Sequence, residues 1–370
     1  MQNTRICHIT TVHSSHDGRI FHKECKSLAS AGYDVTLIAQ HDKNETIESV
    51  KIIALPKHKG RFKRMLKLPL LVLIKAVKGK ADVYHFHDPE LIVVGLLLKF
   101  LGKKVIYDVH EDVPKQILNK TWVGSLFFRR VVAFFTHHAE QFGALFFDAI
   151  IAATPDIANK FNPSKTEIIR NLPILKIIDA DTNKNCIKQK EKPIVIYAGG
   201  LTKIRGIKEI IQAMEYIGDR AELWLLGDWE TDEFKKECEN LEGWKSTKYF
   251  GRVPLNVVYQ YMKKADIGIS MLYPIKNYLT SLPVKAFEYM ACSLPMIMSD
   301  FPYWQEIFGE CALFADPHNP RDIAERILYL LNNPEKAQEL GIKGRQLIES
   351  KYSWEAESKR LIRLYEKLLA

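Results

Sequence analysis

Two successive arrays of short apolar runs that alternate with helical patterns constrain the fold of this chain most strongly. In the first array, Arg5–Thr11 and Val35–Ile38 flank an amphipathic segment, and Lys104–Tyr107 continues the series. The second array starts at Ile194–Ala198 and repeats the alternation up to Leu313–Ala315. Strands that alternate with helices form parallel sheets. The sequence therefore predicts an α/β chain with two doubly wound, parallel-sheet domains.

The chain has 370 residues, more than one hydrophobic core usually serves. Residues 176–192 lose apolar periodicity and collect Asn, Lys and Asp, which indicates a linker. We expect an N-terminal domain at 1–175, a C-terminal domain at 193–353, and a closing helix at 354–370.

The six cysteines are scattered and include no Cys-x-x-Cys pair, which argues against a zinc ribbon or a disulfide framework. No apolar run reaches the roughly 20 residues of a membrane span. The N-terminus lacks the apolar region of a signal peptide. These features predict a cytoplasmic protein.

Positive charge is concentrated in residues 51–80, which contain ten Lys or Arg and no Asp or Glu, within a net charge of +9. One interpretation is a basic amphipathic segment attracted to the anionic inner face of the cytoplasmic membrane. The other is a core-packed helix with a solvated basic face. Pro69 allows two shorter helices in place of one. No nucleic-acid recognition motif accompanies the charge, so we expect no nucleic acid.

Polar residues follow several strands of the first array, at what should be one edge of its sheet. Asp17 and Arg19 lie in the loop after the first strand, which faces the ligand crevice in open parallel sheets. The next two strands end in further ionisable residues: His85, His87, Asp88, His110 and Asp112. Either a metal site or a set of hydrogen-bonded side chains would account for them. Nearby, the apolar stretch 126–147 predicts a buried helix with a polar seam, or alternatively a membrane-facing surface.

Two stretches of the second array carry candidate chemistry. The strand-to-helix loop Gly199–Gly206 contains Arg205 and is typical of a phosphate cradle, although a plain glycine turn would have the same pattern. In Leu282–Asp300 a helix leads into a buried strand. Lys285 and Glu288 are three residues apart and share a helical face, as a functional pair or as a solvated ion pair.

The order and spacing of five motifs give the chain its resemblance to a known family. It resembles the family-4 retaining glycosyltransferases of the GT-B fold, particularly bacterial enzymes of surface-polysaccharide assembly (capsule, O-antigen and exopolysaccharide). The motifs are Asp17–Phe21, Tyr84–Glu90, Tyr107–Asp112, Gly199–Gly206 and Leu282–Asp300. The resemblance implies two Rossmann-like domains that face a central cleft, with the last helix crossing back to the first domain.

The resemblance also implies roles for single residues. Glu288 would bind the ribose hydroxyls of the donor, Arg205 its diphosphate, and His110 the transferred sugar. With Lys285 these form the expected catalytic set. The expected donor-binding residues are Gly199, Gly200, Arg205, Gly206, Gly227, Arg252, Val253, Thr280, Ser281, Leu282, Lys285 and Glu288. The expected acceptor residues are Asp17, Arg19, His87, Asp88 and Asp112.

Three positions depart from the family pattern. Thr280 replaces the first glutamate of the Glu-x₇-Glu motif, and Gly200 stands where a cation is usual; Lys285 would compensate in part. Ser293 replaces a glycine after the helix, which should strain the backbone if that position is left-handed.

The resemblance implies transfer of a hexose-type sugar from a nucleotide diphosphate sugar, with UDP-sugars favoured. The acceptor would be a hydroxyl of a lipid-linked or other glycan, and no cofactor or metal ion is expected. One alternative is a GT-B nucleotide-sugar epimerase. Another is a non-catalytic, donor-binding scaffold subunit, which the substitutions at Thr280 and Gly200 suggest.

Overall fold

A computed structural model describes residues 4–57, 61–119, 123–180 and 191–370. The chain divides into two compact units. The N-terminal unit runs to Asn171 and includes Glu355–Ala370, and the C-terminal unit is Leu172–Trp354. Residues 181–190, most of the predicted linker, lie outside the described residues, and the part before them is helical.

The N-terminal unit is built on an eight-stranded sheet of order β3-β4-β2-β1-β5-β6-β7-β8. All its neighbouring strands are parallel except β3, which pairs antiparallel with β4. The strands are β1 Arg5–Ser14, β2 Asp34–Gln40, β3 Glu45–Ile47, β4 Val50–Leu55, β5 Val83–Phe86, β6 Lys104–Val109, β7 Ala149–Ala152 and β8 Thr166–Ile168.

A π-helical turn, Ile20–Cys25, follows β1 and leads into the first α-helix. The helices of this part are α1 Lys26–Ser30, α2 Arg61–Gly79, α3 Ile92–Phe100, α4 Val113–Asn119, α5 Leu126–Phe146 and α6 Pro155–Ala158. Pro69 lies inside α2, so the two shorter helices that the proline would allow do not form. Leu68, Val72 and Ala76 bury one face of α2 on both sides of the proline, and this packing keeps the helix continuous.

The expectation that α5 is a buried helix was wrong. Its buried residues are Ala133, Glu140 and Gly143, while most of its phenylalanines are exposed. A Cβ on Gly143 would lie 2.9 Å from Ile92 Cγ2, so α5 approaches α3 closely at this glycine. Among the described residues, no helix has both the length and the apolar character to cross a membrane.

The C-terminal unit has a six-stranded, fully parallel sheet of order β11-β10-β9-β12-β13-β14. Its strands are β9 Ile194–Ala198, β10 Glu222–Leu226, β11 Thr247–Gly251, β12 Ile267–Ser270, β13 Met296–Ser299 and β14 Ala312–Ala315. Its helices are α7 Leu175–Ala180, α8 Ile207–Ile217, α9 Asp232–Glu239, α10 Leu255–Lys264, α11 Lys276–Leu279, α12 Val284–Ala291, α13 Pro302–Phe308, α14 Pro320–Asn332 and α15 Pro334–Lys351. Two apolar clusters include buried residues from alternate positions of β9, such as Ile196 in one and Tyr197 in the other.

The order of both sheets reverses beside their first strands, between β1 and β5 and between β9 and β12. Ligands of open parallel sheets bind at the carboxyl ends of the strands at such a reversal. The loops after β9 and β12 are therefore placed to form a site in the C-terminal unit.

Two local features complete the fold. The last helix, α16 Trp354–Leu369, belongs to the N-terminal unit, where the Tyr365 hydroxyl lies 2.8 Å from His85 Nδ1. Ser293, after α12, has a φ of 55°, which confirms the left-handed conformation considered from the sequence. A side chain in this conformation costs roughly 1–2 kcal/mol.

Candidate functional site

Two cationic side chains flank the glycine that follows β9. A Cβ added to Gly199 would lie 3.2 Å from Lys285 Nζ and 3.4 Å from Arg205 Nη1. Lys285 Nζ also lies over the ring of Tyr197, 3.4 Å from its centre. An aromatic face attracts a cation in this position, so Tyr197 holds Lys285 against the glycine loop.

The surroundings of Lys285 disfavour its charge. Burial and the Arg205 guanidinium hold the pKa of Lys285 well below its usual value. Burial raises the pKa of Tyr197 to about 12, so the ring beneath the lysine is a neutral phenol. Two neighbouring cations with a low lysine pKa form a site that an anion would stabilise.

Two amides of the glycine loop are engaged within the fold, and the loop's role as a phosphate cradle stays a prediction. The amides of Gly199 and Leu201 donate to the carbonyls of Leu226 and Asp228, each at 2.8 Å. These two amides are therefore engaged with the end of β10 and are not available to a phosphate. The side chains of Arg205 and Lys285 supply positive charge beside the loop.

Gly227 makes this loop arrangement possible. A Cβ at Gly227 would lie 1.9 Å from the Gly199 carbonyl oxygen, and its φ is +140°. Gly206 has a φ of +61° where the loop enters α8. Arg252, also predicted to bind the donor, is exposed and has its Nη1 3.4 Å from Asp228 Oδ2; Val253 beside it is partly buried.

Glu288 lies on α12 one turn after Lys285 and is partly buried. The Tyr259 hydroxyl donates to Glu288 Oε1 at 3.3 Å. Burial and the Glu288 carboxylate raise the pKa of Tyr259, so this hydroxyl stays a donor. Tyrosines thus orient both Glu288 and Lys285: Tyr259 by a hydrogen bond and Tyr197 by its ring.

Three of the predicted donor-binding residues lie between α11 and α12. Thr280 ends α11 and is exposed, while Ser281 and Leu282 are partly buried. The Trp304 indole donates to the Ser281 carbonyl at 2.7 Å. This bond anchors the loop on α13.

In the N-terminal unit, His110 is held by Asp108. His110 Nε2 lies 2.6 Å from Asp108 Oδ2, and His87 Nδ1 lies 3.2 Å from the same oxygen. Although burial opposes it, the Arg19 guanidinium and His110 hold the pKa of Asp108 well below its usual range. His110 therefore has an ionised partner that fixes its ring, and its contact with a sugar stays a prediction.

The remaining predicted acceptor residues have structural partners. Asp88 is buried and its Oδ2 accepts from the Thr11 amide at 2.6 Å. Arg19 is also buried, with Nη2 2.9 Å from Asp108 Oδ1, which corrects the expectation of an accessible loop cation. Asp17 accepts from the Ile20 amide at 2.9 Å, and Asp112 lies 3.1 Å from Lys115 Nζ.

Sequence reasoning missed the residues that orient the others. Tyr197 could have been noticed, because it is the aromatic residue just before the glycine pair. No comparable signal marks Tyr259, Trp304 or Asp108. Their partners are 29, 23 and two residues away in the chain, and only the fold directs each side chain toward its partner.

The two parallel-sheet units define the GT-B class of α/β protein. Solved structures of this class match the whole chain: sucrose-phosphate synthase from Thermosynechococcus elongatus (TM-score 0.77, 19% identity, 99% of both chains) and Anabaena HepE with UDP-glucose (TM-score 0.74, 13% identity, 99% of this chain and 100% of that one).

Comparison with protein-family models narrows the choice among proteins of the GT-B class. The Glycosyltransferase Family 4 model matches residues 17–171, and the Glycosyl transferases group 1 model matches residues 179–347. An uncharacterized glycosyltransferase of Methanocaldococcus jannaschii is 27% identical over 290 residues, 77% of this chain and 74% of that protein. Spore coat protein SA of Bacillus subtilis is 28% identical over 198 residues, 48% of this chain and 49% of its own length. The chain is a glycosyltransferase of the GT-B fold.

The contact between Gly227 and the glycine loop can be tested by a pair of alanine substitutions. Gly227→Ala should destabilise the protein by about 3 kcal/mol or more, because its Cβ overlaps the Gly199 carbonyl. Gly251→Ala is the matched control, with a φ of +69° and its nearest atom 3.9 Å away, and should cost about 1–2 kcal/mol. Scanning calorimetry of the C-terminal transition measures both; equal losses would contradict the overlap.

Proposed function

We propose that this glycosyltransferase transfers a hexose-type sugar from a nucleoside diphosphate sugar, with UDP-sugars favoured, to an acceptor hydroxyl with retention of anomeric configuration. The placement of Arg205 and Lys285 beside Gly199 carries the proposal, because two partly buried basic side chains at this strand end suit a diphosphate. HepE, with the same fold, binds UDP-glucose, which supports this donor class.

In the proposed reaction, the bond between the anomeric carbon and the diphosphate oxygen breaks, and negative charge grows on the leaving diphosphate. Arg205 and protonated Lys285 stabilise that charge in the transition state. The acceptor oxygen forms the new bond on the same face of the sugar, and its proton passes to the leaving phosphate. The proposed transfer needs no cofactor and no metal ion.

Glu288 is assigned to the donor ribose. Its carboxylate can accept two hydrogen bonds from a vicinal diol, which are stronger than bonds between neutral groups. Tyr259 donates to Oε1 at 3.3 Å and so restricts the carboxylate's orientation. Thr280, in place of the other motif glutamate, offers a hydroxyl and no charge.

We further propose that the acceptor is a lipid-linked glycan of surface-polysaccharide synthesis, reached at an anionic membrane. Three helices of the N-terminal unit, α2, α3 and α5, expose an unusual amount of apolar surface, which we call the apolar face. Its most exposed side chains include Leu70 (64%), Phe100 (82%), Phe127 (77%) and Phe135 (67%). Monomeric soluble proteins rarely leave large contiguous apolar patches exposed.

The charge of the same helices favours an anionic surface. Together α2, α3 and α5 contain one acidic residue, Glu140, which is buried and accepts a hydrogen bond from Tyr107 at 2.9 Å. The sequence places six Lys or Arg in α2, one in α3 and two in α5. Aromatic side chains among cations are typical of helices that lie in a membrane interface. The proposed contact therefore extends from residues 51–80 to α3 and α5.

Glu288→Gln tests the donor assignment. Loss of the charge should weaken UDP and UDP-glucose binding about tenfold or more, as hydrogen bonds to a charged group contribute about 1.5–3 kcal/mol. Titration calorimetry measures both ligands, and Glu306→Gln, an exposed carboxylate of the same unit, is the control. Equal affinities in the two variants would refute the role of Glu288.

A separate incubation of the protein with donor but without acceptor tests the epimerase alternative. Conversion of the donor to an epimer would favour that alternative.

Cosedimentation with vesicles tests the membrane contact. The wild type should bind vesicles that contain phosphatidylglycerol at low salt and release them at high salt. Phe100→Ser with Phe135→Ser should reduce binding several-fold, whereas Tyr216→Ser, an exposed aromatic residue of the C-terminal unit, should not. Binding that is absent at all salt concentrations, or unaffected by the double substitution, would contradict this contact.

A further inference from the structure

A buried cluster of three histidines and one glutamate lies on one face of the N-terminal sheet. His8 on β1 and His85 on β5 are opposite each other in the strand register, and His87 follows β5. Glu24 comes from the π-helical turn after β1. None of the four is more than 3% exposed.

One ligand atom from each of these four residues lies within 4.8 Å of the other three. Glu24 Oε2 lies 3.9 Å from His8 Nδ1, 4.0 Å from His85 Nε2 and 3.9 Å from His87 Nε2. His8 Nδ1 and His87 Nε2 are 3.0 Å apart. Four ligands bound tetrahedrally to zinc at about 2.0–2.1 Å have their donor atoms about 3.4 Å apart. The observed distances lie on both sides of that value.

The cluster leaves buried polar atoms without hydrogen bonds. Glu24 Oε2 accepts no hydrogen bond, and His85 Nε2 makes none, its distance to Asp108 Oδ2 being 3.8 Å. Arg19 Nε lies 2.9 Å from Glu24 Oε1 as an ion pair, which leaves Oε2 directed at the histidines. Unsatisfied buried atoms of this kind are costly unless an ion or a proton occupies the centre.

The outer atom of each histidine is held by a second group. His87 Nδ1 lies 3.2 Å from Asp108 Oδ2, and His85 Nδ1 lies 2.8 Å from the Tyr365 hydroxyl. The same hydroxyl is 3.5 Å from His8 Nε2. Metal-bound histidines usually donate their other N–H to such partners, which fixes the ring and its tautomer.

We propose that His8, Glu24, His85 and His87 bind one zinc ion as a closed, structural site in the N-terminal unit. Nitrogen and carboxylate donors in a four-ligand set suit zinc, and four protein ligands leave no open position for a substrate. The ion would join β1, the π-helical turn and β5, and through Tyr365 also α16. It takes no part in the proposed sugar transfer, and it differs from the set suggested by sequence, since Asp88, His110 and Asp112 are not ligands.

Metal analysis of the purified full chain tests the site. After dialysis against zinc and then metal-free buffer, the wild type and His318→Gln, an exposed histidine of the C-terminal unit, should each retain one zinc per chain. Glu24→Gln and His85→Gln should lose it. Cobalt added to chelator-treated wild type should give the intense visible absorption of a tetrahedral site, a readout that does not depend on how the variants fold.

Removal of zinc should also lower the melting temperature of the wild type by several degrees, as expected for an ion that binds only the folded state. Wild-type protein that retains no zinc and gives no tetrahedral cobalt spectrum would overturn the proposal and leave a protonated Glu24 at the centre. Equal zinc in wild type, Glu24→Gln and His85→Gln would also overturn it. Donor binding by the C-terminal unit is a separate measurement, so either proposal can fail alone.

Discussion

The contact between Lys285 Nζ and the Tyr197 ring fixes the rest of the candidate donor site. It brings a basic side chain from α12 to the end of β9, where Arg205 already lies beside Gly199. Burial and the second cation make the charged state of Lys285 unfavourable. The site is therefore built to gain most when a ligand brings negative charge, which is what a leaving diphosphate does.

The two units use the same type of sheet for different purposes. In the C-terminal unit, glycines keep the loops after β9 and β10 in contact, so that side chains of α12 reach the strand ends. In the N-terminal unit, the corresponding strand ends are occupied by their own side chains: Asp88 binds the end of β1, and Asp108 binds Arg19 and His110. Polar residues at a sheet edge can thus be structural, even where the topology favours a ligand.

The sequence predicted the elements and the two-sheet architecture well because strand and helix periodicity are local. It also placed Lys285 and Glu288 on one helical face, and it raised the possibility of a left-handed conformation at Ser293, which the structure has. The sequence-based prediction failed where contacts between distant parts of the chain determine the structure. Exposure of the α5 phenylalanines depends on how closely Gly143 meets α3, and the partners of the Gly199 amide depend on the loop after β10. Neither contact has a local signature.

Proton uptake on UDP binding tests the central claim most directly. Titration calorimetry above pH 8, in buffers of different ionisation enthalpy, counts protons under conditions where the phosphate groups, with a second pKa of about 6, are fully ionised. Because the pKa of Lys285 is low without a ligand and an adjacent anion raises it, wild-type protein should take up protons as UDP binds, and Lys285→Met should not. Tight UDP binding with the same proton count in both proteins would contradict a diphosphate at Lys285.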